Sequence, residues 1–316
     1  MNPTRGIPKY LLAIFAGILT IIAVGIWRSV KAPSEIGRVL GATDTVIAPK
    51  PQSSPPVPNS SLPSPNINAK YAVLIDEGSK NVMFAKGHQD QVPIASLTKV
   101  MTAILTVESQ KLDEVVTITP EDLNVVGSHI GFVPGEKITV SELLKALLIK
   151  SSNEAGLALS RAISGDANTF VATMNQKALD LGLVQTHYGD PHGLSPDSKS
   201  SAFDQAILFS YALKCPEFKA IVNTPQVTIH SIDGKYAHNL ENSNRLVTDE
   251  IHFDGILGGK TGYTTEAGHS LVSAAARNGH TTIAVILNTA STAVTASAQE
   301  SYKLLDWGFA NFTWPQ

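Results

Sequence analysis

A serine and a lysine three residues apart, at the start of an apolar helical pattern, constrain this chain more than any other feature. Ser96 and Lys99 follow Pro93, and a largely apolar run continues over 100–105. A helix beginning near Ser96 places the hydroxyl and the amine on one face, at the end where backbone N–H groups favour negative charge. Because a serine needs an adjacent base to become a nucleophile, the pair indicates covalent catalysis. Taken alone, S-x-x-K favours the plainer interpretation, a helix-capping serine beside a surface lysine, so the catalytic interpretation depends on motifs later in the chain.

The composition excludes several classes of function and site. The chain has 316 residues, and 43% of them are hydrophobic, which suffices for a full core. A net charge of −3 does not indicate the positively charged surface that nucleic-acid binding requires. The single cysteine, Cys215, excludes an internal disulfide and a multi-cysteine metal site, and we expect a packed structural thiol. His187 and His192 lack metal-ligand spacing, so we expect neither a metal nor a cofactor.

The N-terminal part predicts a membrane anchor followed by a spacer. Residues 11–27 form an uncharged apolar run near the lower length limit for a transmembrane helix, with basic residues on both sides. No A-x-A-like cleavage site follows closely, so an uncleaved anchor is favoured over a cleaved signal peptide. We interpret 1–31 as a cytoplasmic tip and a transmembrane anchor. The Pro- and Ser-rich segment 32–69 predicts a disordered linker, which precedes a folded domain over 70–316.

The folded part carries signals for both strands and helices. Strands are predicted at 71–76, 82–85, 269–276 and 281–287, with a shorter one within 111–119. Asn278-Gly279 predicts a tight hairpin between the last two long strands, and a second hairpin is expected around Asp233-Gly234. Helices are predicted from Thr139, from Glu154, over 205–213 and over 296–307.

Two further polar segments interrupt apolar elements. Ser151-Ser152-Asn153 lies at a break between two apolar helices, where a plain helix connection is the alternative interpretation. Gly259-Lys260-Thr261 resembles the end of a phosphate-binding P-loop. The first glycine of that motif would fall at Asp254, and strand-like sequence follows, so we reject a P-loop. A Ser-His-Asp hydrolase with G-x-S-x-G is also rejected, because residues 268–272 lack the closing glycine.

The three segments together form an ordered set of motifs. S-x-x-K at 96–99, S-x-N at 151–153 and K-T-G at 260–262 follow the order found in penicillin-binding proteins and class A β-lactamases. Residues 70–316 resemble the D-alanyl-D-alanine carboxypeptidases, the low-molecular-mass penicillin-binding proteins of the S11 serine peptidase type. The resemblance extends through the sequence around each motif, at 93–103, 147–155, 254–268 and 304–309.

The resemblance implies a fold and a set of catalytic residues. The expected fold is α+β, the penicillin-binding protein/β-lactamase-like transpeptidase fold, with an antiparallel sheet flanked by helices and a helical subdomain. Ser96 is expected to attack the substrate carbonyl, and Lys99 to take its proton. Ser151 is expected to relay that proton to the leaving amine. Asn153 is expected to orient Lys99 and a substrate amide.

The third motif is expected to bind the substrate. The resemblance implies that Lys260 and Thr261 hold its terminal carboxylate, with Gly262 and Tyr263 continuing the binding strand. The backbone N–H groups of Ser96 and Tyr263 are expected to form the oxyanion hole.

Two departures from the family pattern affect these expectations. Relatives place an arginine between the last strand and the last helix, near the substrate carboxylate, and residues 288–298 contain none. Carboxylate binding is then expected from Lys260 and Thr261, with Arg245 as a further candidate. Many relatives also carry a β-rich domain and a C-terminal membrane helix. Because this chain stops at Gln316, we expect the N-terminal anchor to replace that helix.

The expected function is a serine-type D-Ala-D-Ala carboxypeptidase, which trims the terminal D-alanine from peptidoglycan stem peptides through an acyl-enzyme. β-Lactams are the expected covalent inhibitors. The expected location is the cell membrane, with one span and an extracytoplasmic catalytic domain. Three alternatives stay open: a DD-endopeptidase of the same family, a β-lactamase and a non-catalytic penicillin sensor. The β-lactamase is disfavoured because S-x-N lacks the Asp of S-D-N and no Glu-x-x-Leu-Asn segment follows.

Overall fold

A five-stranded antiparallel sheet lies at the centre of the computed structural model, which describes residues 53–59 and 63–315. Its strands, in spatial order, are β10 (Ile256–Gly262), β11 (Ser270–Arg277), β12 (His280–Thr289), β2 (Ala69–Asp76) and β3 (Val82–Lys86). The four long strands predicted from sequence are confirmed, and Asn278-Gly279 forms the turn between β11 and β12. The pairing of β2 with β12 joins the two ends of the domain.

Short strand pairs lie outside this sheet. They are β1 (Val57–Pro58) with β13 (Phe312–Thr313), β4 (Val92–Pro93) with β7 (Lys199–Ser200), β5 (Val115–Thr117) with β6 (Lys137–Thr139), and β8 (Gln226–His230) with β9 (Ala237–Glu241). The predicted short strand within 111–119 is β5, and the predicted hairpin around Asp233-Gly234 joins β8 to β9. Gly234 has the positive φ of 68° that such a turn requires.

The described residues also form seven α-helices. They are α1 (Lys99–Glu108), α2 (Val140–Ile149), α3 (Asn153–Ser164), α4 (Ala167–Asp180), α5 (Ala202–Ala212), α6 (Pro216–Val222) and α7 (Ala296–Asn311). The predicted capping residue Thr139 accepts a hydrogen bond from the backbone of Glu142. The predicted final helix is confirmed and continues to Asn311. Helices α4 and α6 were not predicted from the sequence.

The sheet separates two apolar layers. Side chains alternate along β12, so Ile283 and Val285 face a cluster built largely from α1 to α6, whereas Ala284 and Ile286 face a smaller cluster that includes α7. Both faces of the strand are therefore buried, which explains its nearly continuous apolar sequence. Helices on both faces of an antiparallel sheet confirm the expected α+β class. Cys215 is half-buried at the edge of the larger cluster.

The start of the first helix differs from the prediction. A helix was expected near Ser96, but Ala95–Thr98 form a 3₁₀ turn and the α-helix begins at Lys99. Ala95 has a φ of 47°, in the left-handed region that L-residues rarely occupy. The chain therefore enters the helix through a strained turn, which the local sequence pattern does not indicate.

The boundary of the predicted linker also differs. Val57–Pro58 pair with Phe312–Thr313, and Ile67 is buried, so these parts of 32–69 pack on the domain. A proline tolerates this position because an edge strand can leave its N–H side unpaired. The predicted anchor and the segment 32–52 lie outside the described residues. In the part of the chain that the structure describes, none of the helices is both long enough and apolar enough to span a bilayer.

Candidate active site

Lys99, the first residue of α1, is fully buried and its amine contacts three oxygen atoms. Nζ lies 2.8 Å from Ser96 Oγ, 2.7 Å from Asn153 Oδ1 and 2.6 Å from the carbonyl oxygen of His192. These partners come from the 3₁₀ turn, from the start of α3 and from the loop before β7. The predicted Ser96–Lys99 pair is thus formed, and its amine is held by two distant segments.

The three oxygen contacts of Lys99 match the three N–H bonds of an ammonium, and a neutral amine can satisfy them as well. Asn153 donates through Nδ2 to the carbonyl oxygen of Val126 at 2.7 Å, which fixes its Oδ1 as an acceptor toward Lys99. The carbonyl oxygen of His192 can only accept as well. A neutral amine has two N–H bonds for these acceptors, and its lone pair then points to the Ser96 hydroxyl. In that state Lys99 accepts the hydroxyl hydrogen bond instead of donating it.

Burial is the main cause of the shifted pKa of Lys99. Loss of water lowers this pKa well below its usual value, and the nearby charge of Lys260 lowers it further. The carboxylate of Asp190 opposes both effects and raises the pKa. An amine with a depressed pKa is available as a base near neutral pH, as activation of a serine requires.

Ser151 and Lys260 form a second hydroxyl–amine pair. Lys260 Nζ donates to Ser151 Oγ at 2.9 Å and to the carbonyl oxygen of Thr261 at 3.0 Å. Burial lowers the pKa of Lys260 to about 7. Ser151 has a φ of 62°, and it immediately precedes Ser152, which caps α3. The predicted break between two helices is therefore a sharp left-handed turn that directs Ser151 toward β10.

Two glycines allow the backbone to pass close to Ser96. Gly193 has a φ of 89°, and a Cβ there would overlap the carbonyl oxygen of Ala95. A Cβ at Gly262 would lie 2.9 Å from the carbonyl oxygen of Ile94 and 3.3 Å from the backbone nitrogen of Ser96. The edge strand β10 and the loop around Gly193 therefore press against the 3₁₀ turn from two sides.

Asp190 organises the loop that supplies the His192 carbonyl. Its carboxylate accepts hydrogen bonds from the backbone N–H groups of His192, Gly193, Leu194 and Ser195. Burial raises the pKa of Asp190, but the His192 side chain, 3.2 Å away, and the backbone N–H groups of Gly193 and Ser195 hold it well below its usual range. The sequence analysis treated 189–195 only as a turn-rich loop. The signal it overlooked is an aspartate preceding Pro191-His192-Gly193, because such residues commonly bond to following backbone N–H groups.

A cavity of about 400 Å³ opens in front of these groups. Thr261 lies on its wall and its Oγ1 is 2.6 Å from Ser243 Oγ. Tyr263 is 60% exposed and stacks on His269 with ring centroids 4.4 Å apart. Predicted site residues that line the cavity are Ser96, Ser151, Asn153, Thr261, Gly262 and Tyr263. Lys99 and Lys260 lie behind this wall, bonded to Ser96 and Ser151.

Known proteins share this sequence and this fold. DacF, a D-alanyl-D-alanine carboxypeptidase of Bacillus subtilis, is 36% identical over 251 residues, which cover 77% of this chain and 63% of DacF. The chain thus spans less than two thirds of that relative. A D-alanyl-D-alanine endopeptidase of Haemophilus influenzae is 36% identical over 206 residues, which cover 65% of this chain and 69% of the endopeptidase.

A solved structure and a family match agree with these relatives. The DD-transpeptidase of Streptomyces K15 superposes with a TM-score of 0.74 at 28% sequence identity, covering 79% of this chain and 100% of the transpeptidase. Residues 58–291 match the Peptidase S11 family, described as D-alanyl-D-alanine carboxypeptidase. Since that match covers most of the chain and includes all three motifs, the chain belongs to the S11 peptidase family.

Proposed function

We propose that the protein is a serine-type D-Ala-D-Ala carboxypeptidase that removes the terminal D-alanine of peptidoglycan stem peptides. The contact between Ser96 Oγ and the fully buried Lys99 amine carries this proposal. Family membership and the carboxypeptidase name of the Bacillus relative support the substrate class.

Acylation begins when Ser96 Oγ attacks the carbonyl carbon between the two D-alanines. The Ser96 proton moves to the neutral amine of Lys99, and the negative charge collects on the substrate carbonyl oxygen. Backbone N–H groups of Ser96 and Tyr263 stabilise that oxygen, and one such donor contributes about 3–4 kcal/mol to transition-state binding.

Collapse of the intermediate breaks the C–N bond and needs a proton on the leaving nitrogen. Ser151 Oγ donates that proton and is reprotonated by Lys260, whose pKa of about 7 suits the exchange. Free D-alanine leaves, and an ester on Ser96 stays. Water then attacks the ester, and its proton passes through Ser151 to Lys260, which acylation left neutral. Lys99 returns its proton to Ser96 Oγ, the ester C–O bond breaks, and the shortened peptide is released.

The test uses the full-length chain in detergent and a stem pentapeptide ending in D-Ala-D-Ala. We expect one equivalent of D-alanine per peptide and covalent labelling by a fluorescent penicillin. Ser96→Ala should remove both signals, and Ser164→Ala, at the far end of α3, serves as the matched control. A Ser96→Ala protein that still labels with penicillin would exclude Ser96 as the nucleophile. Labelling without any D-alanine release would indicate a penicillin sensor.

DD-endopeptidase activity is the second candidate, since a relative of that name is 36% identical over 206 residues. The same chemistry applies when the leaving amine belongs to a cross-linked peptide. Incubation with a cross-linked peptide dimer separates the two functions, because the endopeptidase releases two monomers and no D-alanine.

We also propose that residues 11–27 anchor the protein in the cell membrane and that the catalytic domain lies on the extracytoplasmic side. The uncharged apolar run and its basic flanks support an anchor. The full-length chain should resist carbonate extraction from membranes, and protease added outside spheroplasts should cleave it. Release by carbonate would contradict the anchor.

A further inference from the structure

A substrate carboxylate in this cavity needs a cation that the cavity wall exposes. Lys260 does not meet that need, because it is 1% exposed and its amine is bonded to Ser151 Oγ and to the carbonyl oxygen of Thr261. Among the residues that the structure describes, the Lys and Arg side chains on the cavity wall are Lys150 and Arg245. Glu241 also lies on this wall, so a bound carboxylate requires a close counter-charge.

Arg245 lies in a loop that is tied to the substrate strand β10. Ser243, two residues earlier, bonds through Oγ to Thr261 Oγ1 at 2.6 Å. Two asparagine side chains hold the same loop: Asn242 Oδ1 accepts from the backbone of Asn244, and Asn244 Oδ1 accepts from that of Leu246. The loop that carries Arg245 is thus tied to Thr261, and both residues line the cavity, whereas Lys150 is exposed at the end of α2.

The ion pair of Arg245 leaves it free to exchange partners. One guanidinium nitrogen lies 2.9 Å from Glu250 Oε2, with the two side chains 31% and 48% exposed. A guanidinium has five N–H donors, so most are left for another acceptor. Partly exposed ion pairs stabilise a protein little, so a substrate carboxylate can replace or join Glu250. The planar fork of Arg also matches a carboxylate better than an ammonium does.

The segment between β12 and α7 offers no such group to the cavity. Val294 and Ser297 line it, between β12 and the first turn of α7. Residues 288–298 contain no Lys or Arg. Of the Lys and Arg side chains on the described wall, Arg245 is the one whose loop is bonded to Thr261.

We propose that Arg245 binds the free C-terminal carboxylate of the substrate and makes the enzyme select peptides that end in an acid. This inference rests on the proposed function. It assigns the carboxylate to a residue outside the three motifs, and it leaves to Lys260 the protonation of Ser151.

The test compares two substrates in the full-length protein: a peptide ending in D-Ala-D-Ala and the same peptide as its C-terminal amide. For Arg245→Gln we expect kcat/KM on the acid to fall about 10- to 100-fold, with less than about a 3-fold change on the amide. Arg245→Lys should recover part of the loss, and Lys150→Gln is the matched control. Equal losses on both substrates, or a selective loss in Lys150→Gln, would overturn the assignment.

A second measurement separates this inference from the proposed function. Benzylpenicillin carries a free carboxylate, and its methyl ester does not, so their acylation rates report carboxylate binding without peptide hydrolysis. Wild type should prefer the free acid, and Arg245→Gln should lose that preference with an unchanged melting temperature. Wild-type protein that acylates but hydrolyses neither peptide contradicts the proposed function alone. An unchanged preference in Arg245→Gln contradicts the assignment of Arg245 alone.

Discussion

At the scale of single residues, burial and two opposing charges set the pKa of Lys99. Burial and the charge of Lys260 lower its pKa, whereas the carboxylate of Asp190 raises it. Asp190 also holds the loop whose His192 carbonyl accepts a hydrogen bond from the Lys99 amine. One aspartate outside the three motifs therefore contributes both to the position and to the protonation of the proposed base.

Replacing Asp190 by Asn should shift the pH dependence of acylation. The negative charge of Asp190 favours protonated Lys99, so its removal lowers the pKa of Lys99 and makes the base available at lower pH. We expect the rising limb of penicillin acylation rate against pH to move down by about half to one pH unit. Asp197→Asn, an exposed change in the same loop, should leave the limb in place. An upward shift in Asp190→Asn would contradict the assigned electrostatics.

At the scale of elements, the site depends on close approach between segments that are distant in sequence. Gly193 lies against the 3₁₀ turn at Ala95, and Gly262 at the end of β10 lies against Ile94 and the nitrogen of Ser96. Each approach excludes a Cβ atom. The proposed nucleophile, Ser96, therefore lies where a turn, a loop and an edge strand meet.

Gly193→Ala should disrupt the contact between the loop around Gly193 and the 3₁₀ turn at Ala95. The new Cβ would overlap the Ala95 carbonyl oxygen, and the residue would keep an unfavourable φ of 89°. We expect a loss of more than about 2 kcal/mol in the free energy of unfolding and at least a tenfold slower acylation. Gly131→Ala is a matched control, because Gly131 has a φ of 86° but no atom within 4 Å of the added Cβ. Urea denaturation and penicillin labelling measure both effects, and similar results for the two variants would contradict this reasoning.

A buried hydrogen bond connects the β8–β9 hairpin to the turn before β6. Glu136 Oε1 lies 2.8 Å from His238 Nε2 on β9, and Glu136 Oε2 accepts from the backbone of Val133. Glu136→Ala should lower the free energy of unfolding by about 2–3 kcal/mol, because it leaves the buried His238 ring and the partly buried backbone N–H of Val133 without their partner. Glu121→Ala, at an exposed position, should change it by less than about 0.5 kcal/mol. A cost for Glu136→Ala as small as the control would show that the pair does not hold the hairpin.

At the scale of the whole molecule, Trp314, near the C-terminus, is bonded to the first strand of the central sheet, far from the candidate active site. Trp314 donates through Nε1 to Asp76 Oδ1 at 2.7 Å and stacks on His280. Asp76 pairs with Thr282, at the end of the sheet opposite to Gly262. Strand geometry places these two ends about 20 Å apart. Stability and catalysis should therefore be separable along the sheet.

Trp314→Phe tests this separation. The variant keeps an aromatic ring for His280 but loses the hydrogen bond to Asp76, so we expect about 1–2 kcal/mol less stability. The penicillin acylation rate at 25 °C should stay within about twofold of wild type, because the site is remote. Trp314→Tyr provides a second variant that also lacks the indole N–H. Slower acylation in proportion to the lost stability would indicate coupling between the two ends of the sheet.

The sequence by itself determined most of the elements and indicated the residues that the structure brings together at one cavity. The four predicted long strands, the two hairpin turns and the Thr139 cap depend on local periodicity and turn chemistry, which act over a few residues. The order of the three motifs likewise indicated the family. Two predictions from local signals differ from the structure. A 3₁₀ turn precedes Lys99 where the start of an α-helix was expected. Part of the predicted disordered linker before residue 70 pairs with Phe312–Thr313.

Only the tertiary structure decided how the site residues are paired. It decided that Lys99 is fully buried against Asn153 and the carbonyl of His192, and that Lys260 is bonded to Ser151. The fold also places Arg245 on the cavity wall, and the hydrogen bonds of Asp190 order the loop that follows it. The physical reason is that burial and charge interactions depend on distances across the fold. No pattern within a few residues carries that information, because the partners lie 50 to 110 positions apart.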